Sequence, residues 1–311
     1  MTPAAGLAAR PGSGSALFFL GGAALAIGYA LLWSLAGVTL AGVSPIWWMV
    51  LVGLFAASVA NATGAGGGVV FVPAFTLIAA TGGPALTTPE VVALSLLIQS
   101  FGMSAGSLSW LWRLRGEGAR TLGAPPRDLA RVLGLSLGAG LPALWLTQAF
   151  VAVEGPTLLL LFKALSLALG LVLLASLRWP EGAARFGRGD GTLLLGVGAL
   201  GGVASALFSV GIGELLALTL LLRGFSMPLS VASAVIASAV VALASVPAAL
   251  PVAGPHLGIV AAAAPGVLIG GWLGRRIALA LGARRLKLFC GLWIVGSSLV
   301  LIARAPIASV M

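Results

Sequence analysis

The most informative stretch of the sequence is Thr63-Gly64-Ala65-Gly66-Gly67-Gly68, a glycine cluster in the middle of the apolar block 46–80. A second apolar block, 192–222, is interrupted in the same way by Gly211-Ile212-Gly213-Glu214. A membrane helix needs about 20 apolar residues, so each block is too long for one simple span. Unwound backbone inside a membrane is tolerated only where it is buried in protein or lines a polar cavity, and glycine permits such backbone. We therefore predict that each block forms a re-entrant helical hairpin.

The composition of the chain is that of a membrane protein. Of its 311 residues, 60% are hydrophobic and only 8% are charged, whereas soluble domains carry about 25% charged residues. This balance excludes an ordinary soluble enzyme, a disordered protein and a nucleic-acid binder. The net charge of +10 reflects the scarcity of acids, and the bases cluster in short gaps between apolar blocks, as they do on the cytoplasmic side of membranes. Sites for cofactors or metals are not expected, because a single Cys and a single His exclude a Cys/His zinc site.

Full membrane spans are expected in seven further apolar runs, at 16–40, 89–112, 129–150, 156–177, 228–250, 257–273 and 286–303. The run 16–40 is long for the apolar region of a signal peptide, so we predict a retained helix. The loops after 112 and 177 and the segment before 286 are rich in Arg, which indicates that they are cytoplasmic. If each hairpin enters and leaves on one side, the N-terminus lies inside and the C-terminus outside.

The two broken blocks mark the two halves of an internal repeat. Gly64-x-Gly66 matches Gly211-x-Gly213, and Ser58 matches Ser205 at the same distance upstream. The matching loops of the two halves fall on opposite sides of the membrane, so the halves are related by inversion, as in many secondary transporters. We predict an all-α polytopic membrane protein whose inverted repeats each contain one glycine-broken hairpin and three spans, with an extra N-terminal helix. The expected parts are an N-terminal tail and additional helix at 1–45, a first repeat at 46–178, a cytoplasmic linker at 179–190 and a second, inverted repeat at 191–311.

Two half-helices beginning at Val69 and Leu215 are predicted to point their N-termini toward one site. A helix N-terminus offers free N–H groups and the positive end of a dipole, so this site can bind an anion without a buried Lys or Arg. The candidate substrate-binding residues lie at the breaks or on the helix after the first break: Asn61, Thr63, Gly64, Gly66, Gly67, Gly68, Gln99, Ser209, Gly211 and Gly213. Asn61 and Gln99 can donate to an anion or bridge two helices. Lys163 can either attract the anion or extend to the membrane surface.

Glu214 is the only acid that falls inside a predicted membrane block. Because a charged side chain costs several kcal/mol there, we predict that Glu214 is a proton-coupling carboxyl beside the anion site. The alternative is a protonated carboxyl that caps the half-helix. No catalytic set of Ser, His and Asp and no nucleotide-binding loop is present, so the chain is predicted not to be an enzyme.

Other glycines and the tryptophans are predicted to have structural roles. Gly266, Gly270 and Gly274 recur every four residues, and Gly134 and Gly138 have the same spacing. Both sets are predicted to form small faces against which helices pack closely. Trp110 and Trp112, together with Trp47, Trp48 and Trp179, are assigned to an interfacial aromatic belt.

The motifs resemble a known family. Residues 61–68, followed by Pro73, resemble the first-half signature of the TauE/SafE family of sulfite and organosulfur-anion exporters. The polar stretch around Gln99 is similar to that of the family, except that Leu96 stands where the family usually has Asn. Gly211-Ile212-Gly213-Glu214 resembles the second-half motif, with Glu214 where another Gly is common. The resemblance covers about residues 46–304.

The resemblance implies a secondary transporter of the bacterial cytoplasmic (inner) membrane. Its implied substrate is a small sulfur-containing anion, such as sulfite, sulfoacetate or a related organosulfonate, and protons are the candidate coupling ion. The lipid bilayer is the other expected partner, and nucleic acid is not. An anion channel of the same fold, or an importer of another small anion, remains the alternative. An integral membrane enzyme is a third reading that the missing catalytic set disfavours.

Overall fold

A computed structural model describes residues 13–35, 37–64, 71, 74–75, 78, 84–115, 117–151, 164, 167–168, 170–178 and 185–303. Within these ranges the regular structure consists of α-helices and short 3-10 turns, without strands. The helices are α1 (Ser13–Leu35), α2 (Leu40–Val43), α3 (Met49–Thr63), α4 (Thr88–Arg113), α5 (Glu117–Thr121), α6 (Pro126–Phe150), α7 (Asp190–Phe208), α8 (Ile212–Leu222), α9 (Met227–Ala253) and α10 (Leu257–Ala303).

Four helical segments of the described ranges are long and apolar enough to cross a membrane: Thr88–Arg113, Pro126–Phe150, Asp190–Phe208 and Met227–Gly282. The bent pair Leu40–Ile46 and Met49–Thr63 makes a fifth if it is counted as one span. The 56-residue segment Met227–Gly282 is far longer than one crossing, and the 3-10 turn Gly254–His256 divides it into α9 and α10. The predicted all-α polytopic membrane protein is therefore confirmed.

Helices α3, α4 and α10 form the first helix group, in which all three run in the same direction. Ala57 packs against Gly102 and, one turn later in α3, the carbonyl of Asn61 accepts from Trp110 Nε1 at 3.2 Å. Along α10, Gly266 lies against Val50 and Gly274 lies against Asn61. Since later residues of each helix meet later residues of the next, the three helices are parallel.

Helices α6, α7 and α9 form the second helix group, and they also run parallel to one another. Gly198 of α7 lies against the carbonyl of Ser136, and Gly202 lies against that of Gly140. Beside α9, Trp145 Nε1 donates to the carbonyl of Ala244 at 3.3 Å. A hydrogen bond of 2.6 Å from Ser226 Oγ to the Gly123 carbonyl joins the segments that precede α9 and α6.

The two helix groups meet along α4 and α9, which run antiparallel. Near its start, α4 carries Glu90, whose Oε1 lies 3.3 Å from Nε2 of His256, just beyond the end of α9. Near the other end of α4, Ser107 Oγ donates to the carbonyl of Val235, early in α9, at 3.3 Å. The first helix group therefore runs opposite to the second.

One of the two predicted glycine faces is confirmed, and the other prediction is wrong. A Cβ atom on Gly266, Gly270 or Gly274 would fall against the backbone or Cβ atoms of α3, so these glycines allow α3 and α10 to touch. At Gly134 and Gly138 an added Cβ would meet none of the described residues within 4 Å. The close contact between α6 and α7 instead uses Gly140, Gly198 and Gly202, because sequence spacing identifies a helix face but not the neighbour it meets.

The helices that precede the two breaks end in the same way. Helix α3 ends at Gly64 (φ +78°) and α7 ends at Ser209 (φ +57°), both in the left-handed region. The N–H of each donates to the carbonyl four residues earlier, at 2.8 Å for Gly64 and 3.0 Å for Ser209. The end of α3 therefore resembles the end of α7, and Gly64 holds the position that Ser209 holds in the second hairpin.

Candidate substrate site

The two glycine breaks meet in the interior of the protein. A Cβ atom on Gly64 would lie 3.1 Å from the Cβ of Ala217 in α8 and 2.6 Å from the Cβ of Ala234 in α9. A Cβ atom on Gly213 would fall against both the carbonyl oxygen of Gly64 and Oγ of Ser238. The end of α3 thus contacts the first turn of α8 through two residues without side chains.

A small cavity lies beside this contact, between α4, α7, α8 and α9. Its volume is about 10 Å³, which is close to the smallest space that holds one water molecule. Its polar lining comes from four helices and the turn between α7 and α8: Gln99, Ser205, Ser209, Gly211, Glu214 and Ser238. Four of the predicted site residues, Gln99, Ser209, Gly211 and Glu214, are therefore brought together around one cavity.

Gln99 joins α4 to the break in the second hairpin. Its side chain is 5% exposed, and Nε2 donates to the carbonyl of Ser209 at 2.8 Å. That carbonyl belongs to the last residue before the unwound turn, where helical carbonyls lose their partners. The amide therefore stabilises the broken end of α7 and places its polar head at the cavity wall.

Ser209 combines two unusual features. It is the only non-glycine residue with positive φ among the described residues, and such conformations are costly for residues with a side chain. Its side chain is 3% exposed, and within the described part of the chain its Oγ has no hydrogen-bond partner. A buried hydroxyl without a partner costs about 1–3 kcal/mol, so Ser209 offers an unused donor and acceptor at the cavity.

The N-terminus of α8 is occupied by acceptors from the protein itself. Helix α8 begins at Ile212, three residues before the predicted start at Leu215, and this places Glu214 in its first turn. The Gly211 N–H donates to Glu214 Oε2 at 2.9 Å, and the Ile212 N–H donates to Ser205 Oγ at 3.2 Å. The prediction of the start at Leu215 is wrong because Glu214 folds back onto Gly211, as in a capping box, and this bond extends the helix by one turn.

Asn61 lies away from the cavity and bridges two helices of the first helix group. It is fully buried, and its Nδ2 donates to the carbonyls of Ala57 at 2.8 Å and Gly102 at 3.2 Å. Its side chain packs against Gly106, where a Cβ atom would collide with it. Of the two roles considered for Asn61, the observed contacts are those of a bridge between α3 and α4.

The remaining predicted site residues fall into two classes. Thr63 is buried, and its Oγ1 lies 3.5 Å from the Ala60 carbonyl one turn earlier, while Gly64 and Gly213 form the contact between the breaks. Gly66, Gly67, Gly68, Lys163 and the predicted start of a half-helix at Val69 lie outside the described residues.

An ion pair closes the second hairpin at the end opposite the break. Asp190, the first residue of α7, accepts from Arg223 Nε at 2.9 Å, and Arg223 follows the last residue of α8. Asp190 also accepts from the Gly187 N–H at 2.7 Å. The two outer ends of the hairpin are therefore held together, while its two inner ends meet at the cavity.

Most of the chain matches the model of one protein family. The family described as Sulfite exporter TauE/SafE matches residues 49–301 of the chain. The chain belongs to the TauE/SafE family. The TauE/SafE match contains both glycine breaks and every residue that lines the cavity. Because this is a family of transporters, the chain is an integral membrane protein of the transporter class. No curated protein and no solved structure matches the chain.

Sequence reasoning missed the structural roles of two residues, one beside the cavity and one beside Asn61. Ser205 was noticed only as a repeat match, yet its Oγ accepts from the Ile212 N–H across the break. Trp110 was assigned to the interfacial belt, but it is fully buried and donates to the Asn61 carbonyl. A serine one turn before the end of a broken helix is a signal for the first. No sequence signal distinguishes Trp110 from its exposed neighbour Trp112.

Proposed function

We propose that the protein exports a small sulfur-containing anion, such as sulfite, sulfoacetate or a related organosulfonate, by alternating access around the two hairpin breaks. Membership of the TauE/SafE family supports the substrate class. The observation that carries the proposal is the convergence of Gln99, Ser209 and the N-terminus of α8 on one small cavity. Buried amide, hydroxyl and helix N–H groups are the donors that bind an oxyanion without a neighbouring cation.

The size of the cavity favours a transporter over a channel of the same fold. A space of about 10 Å³ holds one water molecule at most, so a sulfite-sized anion enters only when the helices around it separate. Alternating access supplies such a movement of one part of the protein against another. A conducting channel instead requires a continuous water-filled path.

A second, larger cavity lies elsewhere in the protein and shares no lining residue with the first. Its volume is about 430 Å³, and it is lined by the segment that contains Thr39 and Val43, by Ile78 and Pro84 after the first break, and by the 3-10 turn Gly254–His256. It lies at the end of the molecule where α4 begins. In the proposed orientation, with the N-terminus inside and the C-terminus outside, this is the external end.

We further propose that protons are the coupling ion and that Glu214 is the group that binds them. Glu214 is 7% exposed and lines the same cavity as the donors for the anion. A carboxyl at membrane depth is costly when it is charged and unpaired. Its protonation therefore responds to any change in the charge of the site, including the arrival of an anion.

A thermal-shift screen of the purified protein tests the substrate class. Sulfite, sulfoacetate, taurine and thiosulfate are compared with sulfate and short carboxylates at matched ionic strength. A ligand at one hundred times its Kd stabilises the folded state by about 2.7 kcal/mol. We expect sulfite or an organosulfonate to give the largest shift. A screen in which only carboxylates stabilise the protein would contradict the proposed substrate class.

A further inference from the structure

Helix α8 presents its first N–H groups to the central cavity, which is the small cavity beside the two breaks. Acceptors from the protein itself already bind these N–H groups. Glu214 Oε2 accepts from the Gly211 N–H at 2.9 Å, and Ser205 Oγ accepts from the Ile212 N–H at 3.2 Å. The N-terminus of an 11-residue helix favours negative charge through its dipole and its unpaired N–H groups. The carboxylate of Glu214 therefore lies where an external oxyanion is bound best.

A separate observation concerns Ser209, which lies beside these N–H groups. The hydroxyl of Ser209 lines the same cavity, is almost completely buried and has no hydrogen-bond partner in the described part of the chain. Its left-handed conformation, with φ +57°, holds it at the break instead of in the helix. An acceptor that enters the cavity gives this hydroxyl the partner it lacks.

From these contacts, and on the basis of the function proposed above, we propose that the Glu214 carboxylate is a built-in competitor of the substrate. It occupies the Gly211 N–H until a proton neutralises it and the anion takes its place. In this exchange one proton binds to a carboxylate oxygen, and the hydrogen bond from the Gly211 N–H to that oxygen breaks. An oxygen of the anion then accepts from the Gly211 N–H and from Ser209 Oγ.

Electrostatic repulsion favours this exchange. The described residues that line the cavity beside Glu214 are uncharged: Leu96 and Gln99 on α4, Ser205 and Ser209 on α7, and Ser238, Val241 and Ala242 on α9. Two negative charges a few ångströms apart in such a site repel strongly. An anion that enters beside the carboxylate therefore favours its protonation, and we expect one proton to bind with each monovalent anion.

The expected result is a binding affinity that depends on pH through Glu214 alone. Methanesulfonate is a suitable probe, because a sulfonate does not change its own charge in the neutral range. We expect its Kd for the full-length protein, measured by calorimetry between about pH 6 and about pH 8, to rise by up to tenfold per pH unit where the carboxyl is ionised. In Glu214→Gln we expect a Kd that does not change with pH and that is lower than the wild-type value at about pH 8.

Glu90→Gln is a matched control for Glu214→Gln. Glu90 also caps a helix from its third position, accepting from the Thr87 N–H at 2.7 Å, but it lies at the start of α4 and does not line the central cavity. This variant is expected to lose some stability and to keep the wild-type dependence of Kd on pH. Ser209→Ala, which leaves the carboxyl in place, is expected to bind more weakly at every pH with the dependence retained.

The results of these binding measurements distinguish a failure of the proposed competition from a failure of the proposed function. If methanesulfonate binds with the same Kd at every pH, or if Glu214→Gln keeps the wild-type pH dependence, the competition is overturned while the anion site stands. If Glu214→Gln does not fold, the wild-type pH dependence and the Ser209→Ala result decide. If no sulfonate or sulfite binds to either protein at any pH, both the inference and the proposed function are wrong.

Discussion

Gly213→Ala is expected to abolish high-affinity anion binding while leaving most of the fold intact. The added Cβ falls against the Gly64 carbonyl and Ser238 Oγ, and a backbone carbonyl cannot rotate away as a flexible side chain can. Overpacking of this kind costs about 1–3 kcal/mol, and each 1.4 kcal/mol changes a binding constant tenfold. We expect the stabilisation of the purified protein by sulfite to correspond to a Kd at least about tenfold higher than that of the wild type.

Gly196→Ala is the control for this experiment. Gly196 lies in α7 of the same hairpin, and among the residues that the structure describes an added Cβ would meet nothing within 4 Å. The alanine gains up to about 1 kcal/mol of helix propensity, so the control is expected to bind like the wild type and to be no less stable. Unchanged sulfite binding by Gly213→Ala would show that the contact between the two breaks is not part of the site.

Gly266→Ala is expected to weaken the whole first helix group. A Cβ atom on Gly266 falls against the Val50 carbonyl and lies 2.8 Å from the Leu54 nitrogen, so α3 and α10 must separate along the length of their contact. Because both obstacles are backbone atoms, we expect a loss of about 1–3 kcal/mol or more in the free energy of unfolding. The measurement is the thermal unfolding midpoint of the detergent-solubilised protein.

Gly138→Ala separates this packing effect from the effect of replacing any membrane glycine. Gly138 has the same four-residue glycine spacing in the sequence, but an added Cβ would meet no atom within 4 Å in the described part of the chain. Its replacement is expected to leave the unfolding midpoint unchanged or to raise it. Equal destabilisation by Gly138→Ala and Gly266→Ala would mean that close backbone contact does not explain the glycines of α10.

The helix bounds were predictable where local chemistry sets them. The predicted run 89–112 became Thr88–Arg113, and its start is fixed by Pro89 in the first turn and by the capping box between Thr87 and Glu90. Such signals lie within four residues of sequence. The two hairpin breaks were predictable for a similar reason, because a glycine cluster inside an overlong apolar block has few other uses in a membrane.

The details of the site depended on contacts that sequence spacing does not contain. Glu214 was correctly chosen as a buried acid, but its bond to the Gly211 N–H starts α8 three residues early. Asn61 had two possible roles, and the choice follows from Gly102 and Gly106 on another helix. The likeness between the ends of α3 and α7 was hidden because Ser209 adopts a conformation that glycine normally supplies.

The central proposal is that a small sulfur-containing anion is transported through the site where the two breaks meet. Counterflow in proteoliposomes tests it most directly, with unlabelled sulfite inside and radiolabelled sulfite outside. We predict saturable uptake of label that is accelerated by internal sulfite, retained in Gly196→Ala and lost in Gly213→Ala. Uptake that rises linearly with sulfite concentration, ignores internal sulfite or is unchanged in Gly213→Ala would contradict the proposal.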